Sequence, residues 1–432
     1  MMNSKLDSFK KPFVIIGLGK SGLAAAKLLK LIGINDSDLR LFDEKKSTDL
    51  KSWDDFNTLP VGTLVVSPGV ALNNKNILHL KKNGWTITSE ISLACQFITD
   101  EKIIGVTGSV AKSTVTSLIG IGALNEDVNA FVGGNLGTPF CEYAISLLTG
   151  TKKAQWIILE LSSYQLENCI GLTLAHSAIT FLSSNHLERY PSKHEYYLTK
   201  CGIGHLTKGL CFINSNSSDL IYYKNFIACQ VCAVSAEGFK EKSLINNIQL
   251  LGSHNRDNFA MAYEIAKACG FSTESISKMA FYKGLPHRLE IVTSHKNITY
   301  INDSKATAMD SVLVAVSAAL EKTHMDGVVH LLLGGRDKNL PWEDLLILNS
   351  NSKIVITYFG ECGQLAKEKM GNLTRAYFQT LNLALPFVFS EAKPNDVILL
   401  SPGGTSLDEF SNFEERGNFF KTKVLEFIQK ND

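Results

Sequence analysis

The 432-residue chain has no run of about eighteen apolar residues, so nothing in it reads as a membrane-spanning helix. It has no excess charge either. Its 43 Lys and Arg face 42 Asp and Glu, for a formal net charge of +1. That balance excludes wholesale binding to nucleic acid or to an anionic membrane, so any phosphate chemistry must come from local sites. The first apolar stretch, 13–17, is too short and too soon followed by Lys20 to form a signal-peptide core. Internal repeats of solenoid period and low-complexity tracts are lacking. The nine cysteines are scattered; Cys229 and Cys232 form one C-x-x-C, with no second pair and no histidine at zinc spacing. The expectation is reduced, buried thiols in a cytoplasmic protein.

What is present is an ordinary globular composition, 45% hydrophobic and 20% charged, and enough length for about three domains of ~150 residues. The chain is organised around Gly105-Val106-Thr107-Gly108-Ser109-Val110-Ala111-Lys112-Ser113-Thr114. The apolar run before it predicts a buried strand over 103–106, and 113–124 predicts a helix. A glycine turn between strand and helix holds phosphates through backbone N–H groups and the helix N-terminus. Lysine there neutralises charge, and the following hydroxyl can ligate Mg²⁺. Lys112-Ser113 fit the G-x-x-x-x-G-K-[ST] pattern, but Ala111 stands where its second glycine belongs.

Upstream, Phe13-Val14-Ile15-Ile16 predicts a strand, followed by Gly17-Leu18-Gly19-Lys20-Ser21-Gly22 and a helix over 23–32. G-x-G-x-x-G lets backbone approach a diphosphate; it equally serves a turn that only packs helix on strand. Asp43 closes the next strand, where an acid can bond a ribose hydroxyl or a base edge. The run 61–66 ends in Ser67-Pro68-Gly69, and the α/β alternation continues to about residue 98.

Beyond the phosphate turn, Gly133-Gly134-Asn135-Leu136-Gly137-Thr138-Pro139 reads as a loop. Trp156 to Leu159 reads as a strand ending in Glu160, a carboxylate well placed for Mg²⁺ or simply a solvated strand-end acid. A strand over 179–182 leads to His186, Arg189 and Tyr190, with Lys200 ten residues on. Alone, His186 reads as a structural histidine as readily as a ligand. Leu250 to Asn258 opens a helix with Asn255 and Asn258 on one face, as ligands or mere caps. Gly284-Leu285-Pro286-His287-Arg288 marks a hinge. After it, strands over 299–301, 328–333, 354–359 and 397–400 predict a third α/β unit. Three polar loops at their C-terminal edges, 302–307, 334–338 and 401–406, mark one binding crevice.

Taken together and in order, these motifs resemble the Mur ligase family over essentially the whole chain. The spacing of 17–22, 67–69, 105–114, 133–137, 160–166, 186–189, Lys200, 254–258, 284–290, 302–307, 334–338, 401–410 and Arg416-Gly417 carries the resemblance. The first domain, the 302–307 run and the 401–410 block favour the D-glutamate-adding branch. Three positions depart from the family pattern: Val110-Ala111 for Asn-Gly, Asn185 for Asp, and Ala308 for a frequent Asn.

The resemblance implies an α/β protein of three domains. They are a Rossmann-like N-terminal domain (1–98), a P-loop ATPase-type central domain (99–286) and a Rossmann-like C-terminal domain (287–432). It implies ATP-dependent addition of D-glutamate to UDP-N-acetylmuramoyl-L-alanine through an acyl phosphate. Gly17, Leu18, Gly19, Ser21, Gly22, Asp43 and Asn135 would hold the UDP substrate. Ser109, Val110, Ala111, Lys112, Ser113, Thr114 and Val115 would cradle ATP, with Asn255, Asn258, Arg288 and Asp303 positioning it. Lys112, Glu160, His186 and Lys200 would be catalytic. Ser113, Glu160, His186 and Lys200, the last as a CO₂-derived carbamate, would hold two Mg²⁺. Thr307, Lys338, Ser401 and Phe410 would bind D-glutamate. The expected protein is a cytoplasmic monomer acting on small molecules, with no nucleic-acid or membrane partner. The alternatives are a sister ligase for another amino acid, a nucleotide-sugar binding protein with an impaired ATPase, and, from residues 17–22, a nicotinamide oxidoreductase.

Overall fold

The structure is a computed structural model that describes residues 6, 9–183, 189–324, 326–371 and 375–431. It forms two compact units. The first holds residues 1–247 and 257–280, and the second holds 248–256 and 281–432.

The first unit carries two parallel sheets. One contains β1 (Phe13–Ile16), β2 (Leu39–Phe42), β3 (Thr63–Val66) and β4 (Thr86–Thr88), in the order β2-β1-β3-β4. Phe13 and Ile15 pack into one apolar cluster, Val14 and Ile16 into another. Both faces are therefore covered, which is why β1 reads as an unbroken apolar run instead of an alternating one. The other sheet contains β5 (Lys102–Thr107), β6 (Phe131–Gly134), β7 (Trp156–Glu160), β8 (His176–Ile179), β9 (Leu210–Asn214) and β10 (Gln230–Val234). Its order is β10-β9-β8-β5-β7-β6. The chain leaves β5 toward β7 and β6 on one side and toward β8 to β10 on the other. Ligands of open α/β sheets bind at such a reversal, and the phosphate turn leaves β5 there.

The second unit has β11 (Glu290–His295), β12 (Ile298–Asn302), β13 (Val329–Gly334), β14 (Ile354–Phe359), β15 (Tyr377–Phe378) and β16 (Val397–Gly403). Their order is β11-β12-β16-β13-β14-β15. β11 runs antiparallel to β12 and the rest are parallel.

Two element expectations need correction. Gly133 and Gly134 are not loop but the end of β6, paired with Leu159 and Glu160. A Cβ on Gly134 would lie 2.5 Å from the Glu160 carbonyl oxygen, so glycine permits the pairing that its turn propensity argues against. The strand expected over 179–182 instead occupies His176–Ile179. Thr180 has left the ladder, and its hydroxyl donates to the Val110 carbonyl of the phosphate turn.

Candidate active site

At the end of β1, Gly17 turns with φ +87° and its carbonyl accepts the Ser67 hydroxyl at 2.6 Å. A Cβ on Gly22 would sit 2.0 Å from that same carbonyl, so the helix Lys20–Leu31 seats on the turn only with glycine there. Asp43 Oδ2 accepts the Leu18 N–H at 2.8 Å and Oδ1 the Lys45 N–H at 2.9 Å. Those two bonds hold its carboxyl below the ordinary value. Asp43 thus clamps the glycine turn to the loop after β2. A cavity of about 620 Å³ opens there, bordered by Gly17, Leu18, Gly19, Ser21 and Asp43. It reaches Asn135 and Gly137, just beyond β6, and Gln165 on the helix Ser163–Leu166.

Asn135 links that cavity to the phosphate turn. Its Nδ2 donates to Glu160 Oε1 at 2.6 Å and its backbone N–H to the Glu160 carbonyl at 2.9 Å. Glu160 is buried, and its Oε2 has no hydrogen-bond partner among the described residues. A buried carboxylate oxygen left unpaired is costly, and a cation is what such an atom accepts.

The turn itself is built on the Gly108 carbonyl. Lys112 Nζ donates to it at 2.8 Å and also to the Ser109 carbonyl at 3.0 Å; Lys200 Nζ donates to Gly108 at 2.8 Å. Lys200 sits on the helix Lys193–Cys201 and is 1% exposed, against the Tyr196 ring. Burial first, and the Lys112 cation second, push its amine well below the usual lysine range. Ser109 anchors the turn's flank. Its hydroxyl donates to the Ser183 carbonyl and accepts the Ser183 N–H, each at 3.0 Å, and the Tyr196 hydroxyl donates to it at 3.2 Å.

Ala111 is the residue before the helix Lys112–Glu126 and has φ +65°, ψ −3°. This is the left-handed region, where an L side chain costs roughly 1–2 kcal/mol and glycine nothing. Ser113 and Val115 are buried in the first turns of the helix, and Thr114 is partly exposed. His186, with the rest of 184–188, lies outside the described residues. Among the described residues no three His, Cys, Asp or Glu side chains gather to hold a metal.

In the second unit the edges of β12, β13 and β16 converge. Asp303 is buried, accepts the Leu289 N–H at 3.1 Å and the Ser401 hydroxyl at 3.0 Å, and is pushed up to about 7 by burial. Arg288 is half-buried and opposes that rise. Ser401 is thus tied to Asp303. Thr307 is half-buried, Lys338 is exposed, and the Phe410 ring packs on Phe419 at 5.3 Å between centroids. On the helix His254–Ala268, Asn255 belongs to the second unit and Asn258 to the first; both are buried, and Asn255 Nδ2 donates to the Leu251 carbonyl.

Arg416 had no role in the sequence reading beyond its place in a motif. It is wholly buried and ties the 302–307 loop to the 401–406 loop. Its Nε donates to the Ser304 hydroxyl at 3.0 Å and its terminal nitrogens to the Ser304 and Gly404 carbonyls at 2.9–3.2 Å. Thr180 and Tyr196 are further supports that sequence spacing did not single out, and Ser67, read only as part of a turn motif, is another. They act across gaps of 50 to 87 residues.

Residues 106–266 match the model of the Mur ligase middle domain. The chain is 32% identical to the UDP-N-acetylmuramoylalanine–D-glutamate ligase of Buchnera aphidicola (subsp. Acyrthosiphon pisum, strain Tuc7), across 97% of this chain and 98% of the relative. It is 32% identical to the ligase of the same name from Escherichia coli K12, across 95% and 97%. Among solved structures it is similar to the MurF ligase of Thermotoga maritima in complex with ADP, with TM-score 0.61 and 15% identity over 99% and 97% of the two chains. A MurF of Acinetobacter baumannii gives TM-score 0.61 at 18% identity, over 93% and 98%. At such identities these two establish the fold alone.

Proposed function

The chain belongs to the Mur ligase family, and we propose that its loops divide the labour of one ligation, as follows. The activity is ATP-dependent addition of D-glutamate to UDP-N-acetylmuramoylalanine in peptidoglycan precursor synthesis. Identity of 32% along 97% of the chain with a ligase of that name carries this conclusion. Mur ligases use ATP and Mg²⁺.

The cavity between the glycine turn and Asn135 takes the UDP substrate. The helix N-terminus after Gly19 faces the diphosphate, and Asn135 brings the far end of the substrate toward Glu160. Lys112 neutralises ATP phosphate charge while backbone N–H groups of the 108–114 turn aim at the oxygens. The unpaired Glu160 Oε2 and the Ser113 hydroxyl are supporting features for one Mg²⁺, and His186 with carbamylated Lys200 for a second. Bound there, Mg²⁺ would offset the charge of the transferring phosphoryl group. The substrate carboxylate takes the γ-phosphoryl group as ADP departs. The D-glutamate amine then displaces phosphate from the acyl phosphate, losing a proton. Excluding water protects that intermediate. We assign ATP contacts also to Asn255, Asn258, Arg288 and Asp303, and D-glutamate to Thr307, Lys338, Ser401 and Phe410. The same reading has domain boundaries at 1–98, 99–286 and 287–432, a monomer, and a cytoplasmic location. Among the described residues no helix is long and apolar enough to cross a membrane.

The direct test is phosphate release from ATP. Release that requires both D-glutamate and UDP-N-acetylmuramoyl-L-alanine supports the ligase; release indifferent to D-glutamate, or absent, overturns it. A sister ligase would answer to another amino acid in the same assay.

Two substitutions probe the division of labour. Lys338→Ala should raise the D-glutamate KM several-fold, since Lys338 is exposed and a solvent-exposed ion pair is worth up to about 1 kcal/mol. The ATP KM should stay within twofold; equal shifts would place the amino acid elsewhere. Ala111→Gly should leave turnover intact and lower the ATP KM, by tenfold at most for relief of ~1.4 kcal/mol. An ATP titration of both forms decides it, and weaker binding by the glycine form would refute strain at φ +65°.

A further inference from the structure

One wall of the nucleotide cavity is aromatic in an otherwise polar stretch. Trp53 opens the short 3₁₀ segment Trp53–Thr58 and borders the cavity beside Phe42, Asp43 and Lys45. Its indole is fixed from several directions. One face stacks on Phe56, with centroids 5.3 Å apart and planes 24° apart. Phe42 meets it at 4.7 Å in an edge-on arrangement, and Nε1 donates to Glu44 Oε1 at 2.7 Å. Yet Trp53 keeps part of its surface exposed, while Trp85, Trp156 and Trp342 are at most 5% exposed. A large, rigid, half-open ring presents apolar surface that loses little conformational entropy on contact.

The cavity also has a direction. Its middle is the glycine turn at a helix N-terminus, the natural seat of a diphosphate. Its second-sheet end is Asn135, bonded to Glu160, where the reacting end of the substrate belongs. The end left over is the mouth of β2, formed by Asp43, Lys45 and Trp53. In α/β sheets that mouth receives the nucleoside. Asp43 already spends both carboxylate oxygens on the Leu18 and Lys45 N–H groups, so apolar contact with a base must come from another side chain. We infer that the Trp53 indole is the stacking platform for the nucleobase of the bound nucleoside diphosphate. This rests on the reading that the cavity holds the UDP moiety.

The test uses the full chain, calorimetry with UDP and with inorganic pyrophosphate, and quenching of tryptophan emission by acrylamide. In the wild type UDP should bind and shield the accessible tryptophan, and pyrophosphate should not shield it. Trp53→Phe, which keeps a ring on Phe56, should hold UDP affinity within about threefold. Trp53→Ala should weaken UDP about tenfold to a hundredfold, the range for loss of base–aromatic stacking, and leave pyrophosphate binding unchanged. In turnover the Ala variant should raise the KM for the UDP substrate and leave the ATP and D-glutamate KM values alone. Wild-type UDP affinity in Trp53→Ala, equal losses in the Phe and Ala variants, or UDP binding without shielding would overturn the platform. UDP failing to bind the wild type at all would instead overturn the reading of the cavity.

Discussion

Lys200→Arg should abolish turnover almost as completely as Lys200→Ala, though it keeps a cation of similar length. The amine lies 2.8 Å from the Gly108 carbonyl, and Lys112 donates to that same oxygen at 2.8 Å. Two cations on one acceptor in a buried site repel, and only Lys112 has phosphate charge to answer. Lys200 is held well below the usual lysine range, by burial first and by the Lys112 cation second. An amine so lowered is the kind that adds CO₂, releasing a proton, and the carbamate we propose would keep one N–H for Gly108 while its two oxygens would be the hard anionic donors Mg²⁺ prefers. Arginine stays charged at any working pH and forms no carbamate. Its uncompensated buried charge should also cost about 3–5 kcal/mol of stability, so the loss of turnover is read beside a folding control. Unchanged UDP affinity would show that the variant is folded. ¹³C-bicarbonate labelling should give a carbamate resonance in the wild type alone. An arginine variant that retains turnover would end the carbamate assignment.

The core of each sheet was legible because parallel strands buried on both faces are written as short, unbroken apolar runs. Phe13–Ile16, Leu39–Phe42 and Ile354–Phe359 stand where the apolar runs predicted them. Strands of mixed character were not singled out: Thr86–Thr88 is polar, and Gln230–Val234 is half-open. Glycine misled at β6, where close pairing to β7 and not turning is the reason for it. At the site, sequence gave the order of motifs but not their mutual contacts. Lys200 and Gly108 are 92 positions apart, and nothing local to either announces their bond. Ala111 was ambiguous between a strained and a relaxed position until its φ of +65° was known. Asp43 was read as a ribose or base contact, and its bonds to Leu18 and Lys45 give it a supporting task as well.

Gly108→Ala should disable the phosphate turn more thoroughly than any change at Ala111. Gly108 has φ +146°, a conformation that glycine alone adopts freely, and an added Cβ would lie 2.0 Å from Thr180 Oγ1 and 3.1 Å from the Phe181 N. Thr180 cannot simply withdraw, because its hydroxyl donates to the Val110 carbonyl and its N–H to the Thr107 carbonyl at 2.9 Å. The turn must therefore shift. The Gly108 carbonyl would move with it, away from both Lys112 and Lys200. Crowding of this kind costs roughly 1–3 kcal/mol and the backbone conformation 1–2 more, so about 3 kcal/mol is a fair centre. That corresponds to about two decades in ATP affinity, with a further loss in turnover because the two lysines no longer share an acceptor. The glycine turn after β1 touches none of these atoms. UDP binding to the variant, measured by calorimetry, should match the wild type while ATP binding collapses. If instead both ligands lose affinity together, the first unit has unfolded, and Thr180→Ala paired with Gly108→Ala becomes the deciding form. Removing the Thr180 hydroxyl takes away the closest clash but leaves the strained φ and the contact with the Phe181 N, so UDP binding should return while ATP affinity stays low. Wild-type ATP affinity in that double variant would show that neither the φ nor the Phe181 contact disables the turn.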